Sequence, residues 1–484
     1  MSMKRNALLC LAAAALTLAS VGGALAQKNS VRGGGPSMGG GQSGGDGGGF
    51  RGGGWGTAIP GVLLAIPQVV PAQGGRVVDD DPHVPRRQNS ARRGPSGVPP
   101  LNERRLIPDE VVIELANTMT PQAIDALQRR SRLTRVESLT SQLAGTTLFR
   151  WRITDRRSVP TMIRQLETDT VVVSAQPNYL FTLQQSEAKS EGDPAQYERA
   201  KLKLPQAHAI AQGGNVPVAV IDSGVDASHP DLAGAVTQTY DAIDTPAAAH
   251  KHGTAIAGLI AARGRLVGSA PAARVLAIRA FDPSGAGAEA STFGILKSLD
   301  WAAANGARVI NMSFAGPADP AIHRSLEAAR KKNIVLIAAA GNAGAKSPPL
   351  YPAADANVIA VTATDADDKL FEPSNRGAHI AVAAPGAQIM VAIPDGGYEV
   401  ASGTSYSAAE VAGIVALMLE RSPDLTPDQV RGILQATARD LGPEGRDPMF
   451  GAGLVDAYGA VTAQGVPMTA PAPRPVERAS TGTR

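Results

Sequence analysis

Cysteine is almost missing from this chain of 484 residues; Cys10 is the single one, and it stands inside the first hydrophobic run. Once that run is removed no disulfide can hold the chain. Aromatic residues make up only 4% against 43% hydrophobic in total, so small apolar side chains must do most of the packing. Charge of one sign is also scarce. A formal net charge of +3 over this length gives no argument for nucleic acid as a partner. Long apolar runs are lacking as well. The run 7–18 is too short to span a bilayer stably, and the apolar island 57–72 is broken by Pro60, Pro67 and Pro71. No transmembrane segment is expected.

What is present falls into blocks. Lys4 and Arg5 precede the first apolar run, and Ala24-Leu-Ala26 follows it as a small-x-small cleavage signature. Residues 1–26 therefore read as a secretory signal peptide, and Cys10 lies too near the start to be a lipidation site. Export to the periplasm or the outside of a bacterial cell is expected. Residues 27–104 are rich first in glycine, then in proline and arginine, and are expected to be disordered.

From 105 to about 185 the pattern predicts a small α+β domain of the split β-α-β kind. Its strands are Glu110–Leu115, Thr147–Ile153, Val171–Val173 and Tyr179–Leu183; its helices open at Thr120-Pro121 and at Ser158-Val-Pro160. A polar stretch, 184–196, separates it from a larger unit, 198–465. There, near-continuous apolar runs at 216–221, 275–279, 309–312, 334–338 and 358–361 read as parallel strands covered on both faces. Helices are predicted at 254–262, 291–305 and 322–332. The fold class is α/β, a doubly wound and mainly parallel sheet, with functional groups at the C-terminal ends of its strands. The proline-rich tail 466–484 is expected to be disordered.

The chemistry lies in four separated pieces. Asp222 ends the run Val218-Ala-Val-Ile-Asp222-Ser-Gly224. His252 opens a helix in His252-Gly-Thr254. Asn342 follows a strand in Ile337-Ala-Ala-Ala-Gly-Asn342, and Ser405 follows a glycine turn in Ser402-Gly-Thr-Ser405. A serine hydroxyl is a weak nucleophile until a base takes its proton, and the base needs an orienting carboxylate. At a helix start, Ser405 gains from the helix dipole as negative charge develops. Its backbone N–H and the Asn342 amide can serve as oxyanion donors.

These pieces resemble the subtilisin-like serine peptidases. The resemblance covers about 198–463. It rests on Asp222-Ser-Gly-Val-Asp-Ala-Ser-His-Pro-Asp231, His252-Gly-Thr, Ile310-Asn-Met-Ser313, Ala340-Gly-Asn342, Ala384-Pro-Gly386, Gly403-Thr-Ser405 and Gly451-Ala-Gly-Leu-Val-Asp-Ala457. It implies a monomeric endopeptidase acting through Asp222, His252, Ser405 and Asn342 and an acyl-enzyme. It implies that an extended polypeptide substrate adds as a strand beside Ser313, Phe314, Ala315 and Gly316 and near Gly285 and Gly287. Ala338, Ala339 and Ala340 would form a pocket wall. Residues 105–183, with Val173-Ser-Ala-Gln-Pro-Asn-Tyr-Leu-Phe181, resemble the propeptide of these enzymes. That implies an intramolecular inhibitor whose last strand lies in the cleft, and a cut freeing a chain that starts between 185 and 200.

The sequence departs from the family around the site. Tyr406-Ser-Ala-Ala409-Glu410 replaces the common Met-Ala-x-Pro-His, and Ala255 stands where a second histidine is common. Glu410 is expected to point away from His252. Asp231 matches a position that binds calcium in some relatives, but the loop 262–268 is short and basic, and His250-Lys-His252 lacks further ligands; no metal and no cofactor are expected. Two competing readings use the same residues: an envelope interaction protein that keeps the fold without catalysis, and an esterase or acyl transferase.

Overall fold

The computed structural model describes residues 95–184, 196–243, 245–246, 249–283 and 288–463. The signal-like segment, most of the Gly/Pro/Arg-rich region, the linker 185–195, Gly285, Gly287 and the C-terminal tail lie outside the described residues. Among the described residues no helix is long and apolar enough to cross a membrane.

The small unit runs β1 (Leu106–Leu115), α1 (Pro121–Ser131), β2 (Leu133–Ser141), β3 (Thr146–Ile153), α2 (Val159–Leu166), β4 (Val172–Leu183). Its four strands are antiparallel in the order β4-β1-β3-β2. Both helices start at a capping hydroxyl followed by proline: Thr120 accepts from Ala123 N–H and Ser158 from Thr161 N–H. They cover one sheet face, where Trp151, Ile113, Leu127, Met162 and Ile163 are buried together.

Two expectations need correction. The segments 171–173 and 179–183 are one strand, and β2 went unpredicted. Residues 95–104, expected to be disordered, pack on the small unit. Gly97 N–H donates to Glu167 at 2.7 Å, and a Cβ on Gly97 would meet the Ala175 carbonyl oxygen at 1.9 Å, so this contact needs glycine.

The larger unit continues with α3 (Tyr197–Lys201), α4 (Leu204–His208), β5 (Pro217–Asp222), β6 (Val236–Asp241), α5 (Lys251–Ala261), β7 (Arg274–Arg279), β8 (Glu289–Ser291), α6 (Thr292–Ala304), β9 (Val309–Met312), β10 (Phe314–Ala315) and α7 (Pro320–Lys331). It ends with β11 (Val335–Ala339), β12 (Ile359–Thr364), β13 (Ile380–Pro385), β14 (Ile389–Ile393), β15 (Gly397–Ala401), α8 (Thr404–Arg421), α9 (Pro427–Thr437) and α10 (Ala457–Thr462). Seven strands form one sheet in the order β13-β12-β11-β9-β5-β7-β6, every pair parallel. Alternation decides the two faces: Val218 and Val220 join the core beneath α5 and α8, while Ala219 and Ile221 join the one beneath α6. The order reverses direction beside β5, so the ends of β5, β9 and β11 open at one edge, where a doubly wound sheet places its ligand crevice.

Candidate active site

Asp222 is the last residue of β5 and is fully buried. Its Oδ1 accepts from the N–H of Ser223 at 2.8 Å and lies 2.9 Å from the Ser223 hydroxyl. Both carboxylate oxygens lie 2.9 Å from Nδ1 of His252. His252 stands in the first turn of α5, with His250 at the N-cap position. Gly253 permits this approach, since a Cβ there would meet the Gly224 carbonyl oxygen at 2.3 Å. Nε2 of His252 is buried without a hydrogen-bond partner.

Ser405 lies in the first turn of α8. Its Oγ is 3.2 Å from the Ser313 carbonyl oxygen and donates in a very short hydrogen bond to the carbonyl of Gln184. Asn342 leans over the same helix start. Its Oδ1 accepts from Thr404 N–H at 3.1 Å and from the Thr404 hydroxyl at 2.9 Å, which leaves its Nδ2 buried and unpartnered. Asn375 braces that loop, donating to the Ala340 carbonyl at 3.0 Å and accepting from Ala343 N–H at 2.8 Å. Thr404, Asn375 and Ser223 were not singled out by sequence reasoning; the first and last adjoin catalytic-type residues, and Asn375 carries no local signal.

The end of β4 fills the cleft. It pairs antiparallel with β10 on one side (Leu183 with Phe314, Thr182 with Ala315) and with β8 on the other (Phe181 with Ala290). Gln184 N–H donates to Ser313 O at 3.2 Å, and its side-chain Oε1 accepts from Asn342 N–H at 3.0 Å. Phe181 is buried edge-on to Phe314, ring centroids 6.0 Å apart, and a Cβ on Gly316 would enter its ring at 2.2 Å. Ser313, Phe314, Ala315 and Gly316 thus all meet β4. Ala338 and Ala339 are buried in β11, Ala338 in the same core as Phe314, and Ala340 carries the turn to Asn342.

The sequence pattern of the subtilase family, Peptidase_S8, matches residues 213–453. Thermitase of Thermoactinomyces vulgaris is 36% identical over 274 residues, which are 55% of this chain and 95% of thermitase. The chain belongs to the subtilase family. Subtilisin E of Bacillus subtilis (strain 168) is 33% identical over 308 residues, covering 62% of this subtilase and 77% of that one. The crystal structure of fervidolysin from Fervidobacterium pennivorans, a keratinolytic enzyme related to subtilisin, superposes with a TM-score of 0.64 at 25% identity. The match covers 75% of this chain and 62% of fervidolysin. As a subtilase the chain is a subtilisin-like serine endopeptidase.

The positions where this subtilase departs from its family are buried. Tyr406 is buried with its ring 6.0 Å from that of His252. Ala255 lies in the core, and Glu410 is buried with Glu198, Arg199 and Ser269 as its polar neighbours. Burial raises the carboxyls of both: Glu198 is pushed up to about 7, and Glu410 is held well above the usual range, with the charge of Glu198 adding to its shift. Asp231 is engaged by protein donors: Arg265 N–H at 2.6 Å, Leu266 N–H at 2.9 Å and the Tyr398 hydroxyl at 3.0 Å. Among the described residues no three His, Cys, Asp or Glu side chains are arranged to hold a metal ion.

Proposed function

We propose that this subtilase cuts peptide bonds with Ser405 as nucleophile, His252 as base and Asp222 as its orienting carboxylate, and that it is exported as a self-inhibited precursor. The hydroxyl of Ser405 passes its proton to Nε2 of His252 as Oγ attacks the substrate carbonyl. Asp222 holds the imidazolium that forms. The unpartnered Nδ2 of Asn342 and the backbone N–H of Ser405 receive the oxyanion. His252 returns the proton to the leaving amine, and water then releases the acyl group by the same steps.

One observation carries the precursor reading: the Ser405 hydroxyl meets the carbonyl of Gln184, the residue that follows β4, whose end is held between β8 and β10. Gln184–Gln185 is then the processing bond, and residues 105–184 are a product-like inhibitor after the cut. The same register supports extended substrates with a bulky apolar residue three positions before the cleaved residue, where Phe181 stands. Family membership favours the endopeptidase over the envelope-protein and esterase readings. Intact mass and N-terminal mapping of the purified full chain test this. Wild type should show a new N-terminus at Gln185, and Ser405→Ala should remain joined there and should not label with a fluorophosphonate. Wild-type protein that digests peptides fully while uncut near Gln184 would refute the precursor reading.

A further inference from the structure

The hydrogen bonds on Asp222 do not end at His252. The hydroxyl of Ser223 lies 2.9 Å from Asp222 Oδ1 and 2.8 Å from Nδ1 of His250. The same Nδ1 is 3.4 Å from the backbone N–H of His252. A serine hydroxyl has one proton, and Nδ1 carries either a proton or a lone pair, so these three contacts cannot all be made at once. With a lone pair on Nδ1, His250 caps α5, the Ser223 hydroxyl turns towards it, and an oxygen lone pair is left facing the buried carboxylate. With a proton on Nδ1, His250 donates to Ser223 and Ser223 donates to Asp222; only the long contact is given up. A hydrogen bond to a buried carboxylate is the stronger of the two at stake, so the second arrangement wins.

We propose that His250 is a positioning residue of the hydrolytic site, which through the Ser223 hydroxyl fixes and polarises a donor to Asp222 and so sets how tightly Asp222 holds the proton on His252. This rests on the reading of Asp222, His252 and Ser405 as the catalytic set. The charged and titratable groups around His250 are Asp222 at the end of β5, His252 and Lys251 on α5, and Glu399 on β15, 3.8 Å from Lys251. Burial holds the His250 imidazole below the usual histidine range, with Asp222 opposing and His252 and Lys251 adding. The ring is therefore neutral at neutral pH, and its tautomer decides the direction of the chain. A carboxylate that loses a polarised donor binds the His252 proton more tightly, which moves the acid limb of kcat/KM to higher pH.

The test is the pH dependence of kcat/KM on a peptide substrate. His250→Ala should shift the acid limb up by about half a pKa unit. His250→Asn, which can offer an N–H to Ser223 from the same place, should restore the wild-type limb. In a Ser223→Ala background, His250→Ala should shift nothing further. An unmoved limb with only a lowered Tm would reduce His250 to a helix cap, and a shift that persists without Ser223 would mean plain through-space charge; either overturns the proposal. Nitrogen-15 NMR of the histidine-labelled full chain gives a reading without any variant: Nδ1 of His250 should be protonated at neutral pH, and a lone pair there also overturns it. Hydrolysis that survives Ser405→Ala would instead remove the catalytic set on which the proposal stands.

Discussion

The two sheets of this molecule are covered in different ways. The parallel sheet has helices of its own unit on both faces, and its core residues are mostly alanine, valine, isoleucine and leucine. The antiparallel sheet has α1 and α2 on one face only. Its other face, with Val112, Leu148 and Tyr179, is buried in the same core as Phe293 and Leu296 of α6. Polar contacts ring that junction: Gln176 to Asp319 at 2.8 Å, Lys297 to Glu137 at 2.8 Å, Arg324 to Glu114 at 2.7 Å and Asp300 to Ser141 at 2.8 Å. The larger unit closes its own layers, whereas the smaller one is completed by its neighbour. A part built in this way can be removed without unmaking the sheet that carries the site, which suits an inhibitor discarded after use.

The comparison predicts that the two units fail separately. Asn342→Ala should lower kcat by about 10²–10³-fold with little change in KM, because the developing oxyanion loses a donor; the loss of Oδ1 as acceptor for Thr404 should show separately, as a lowered Tm. The attachment of the small unit should survive, as read by its co-purification with the larger one. Phe181→Ala should do the opposite. It empties the pocket against Phe314, a loss of about 3 kcal/mol or more. Inhibition after processing should weaken by about 10²-fold, with kcat of the freed enzyme unchanged; equal inhibition would show that the polar ring holds the unit.

Glu410→Gln sharpens the contrast from the side of the larger unit. The unfolded chain loses the protons of Glu198 and Glu410 near 4.5, whereas in the folded chain burial holds the Glu198 proton to about 7 and keeps the Glu410 carboxyl well above its usual range. The stability these protons supply is therefore fully present below about pH 4.5 and is lost as pH rises through 7 and beyond. On the Ser405→Ala background, where self-digestion is absent, thermal melts should lose on the order of 2–3 kcal/mol between pH 5 and 8 from Glu198 alone, with Glu410 adding to the loss. Glu410→Gln should remove the added part and leave the slope due to Glu198. The smallest effect should come from Arg324→Ala. Its ion pair with Glu114 is partly exposed, so inhibition should weaken by less than about fivefold, less in high salt.

Much of this was legible in the chain. The strands that end at Asp222 and lead to Asn342 stand out because a sheet buried on both faces reads as unbroken apolar runs; the helix start at Ser405 follows Gly403, and that at His252 is marked by Gly253-Thr254 after it. What escaped notice did so for physical reasons. β2, Leu133–Ser141, is mostly exposed and carries Arg135 and Glu137, so its alternation is weak. β4 contains Pro177, which reads as a break; it sits where the ladder to β1 shifts register, a position that tolerates a missing N–H. For Gln184 the sequence offered only a range, a cut freeing a chain that starts between 185 and 200. Nothing local singles it out from a linker; what distinguishes it is where β4 delivers it, at the Ser405 hydroxyl.

Asp231 has a consequence of a different kind. A carboxylate satisfied by two loop amides and a phenol belongs to the folded chain at every ion concentration. An ion bound only by the native state would add a stabilisation that grows with the logarithm of its free concentration and vanishes in a chelator. The donors on Asp231 are instead tethered covalently, and their effective concentration never changes. What these three donors lend to the loop 262–268 and the β14–β15 hairpin therefore does not vary with what the solvent supplies.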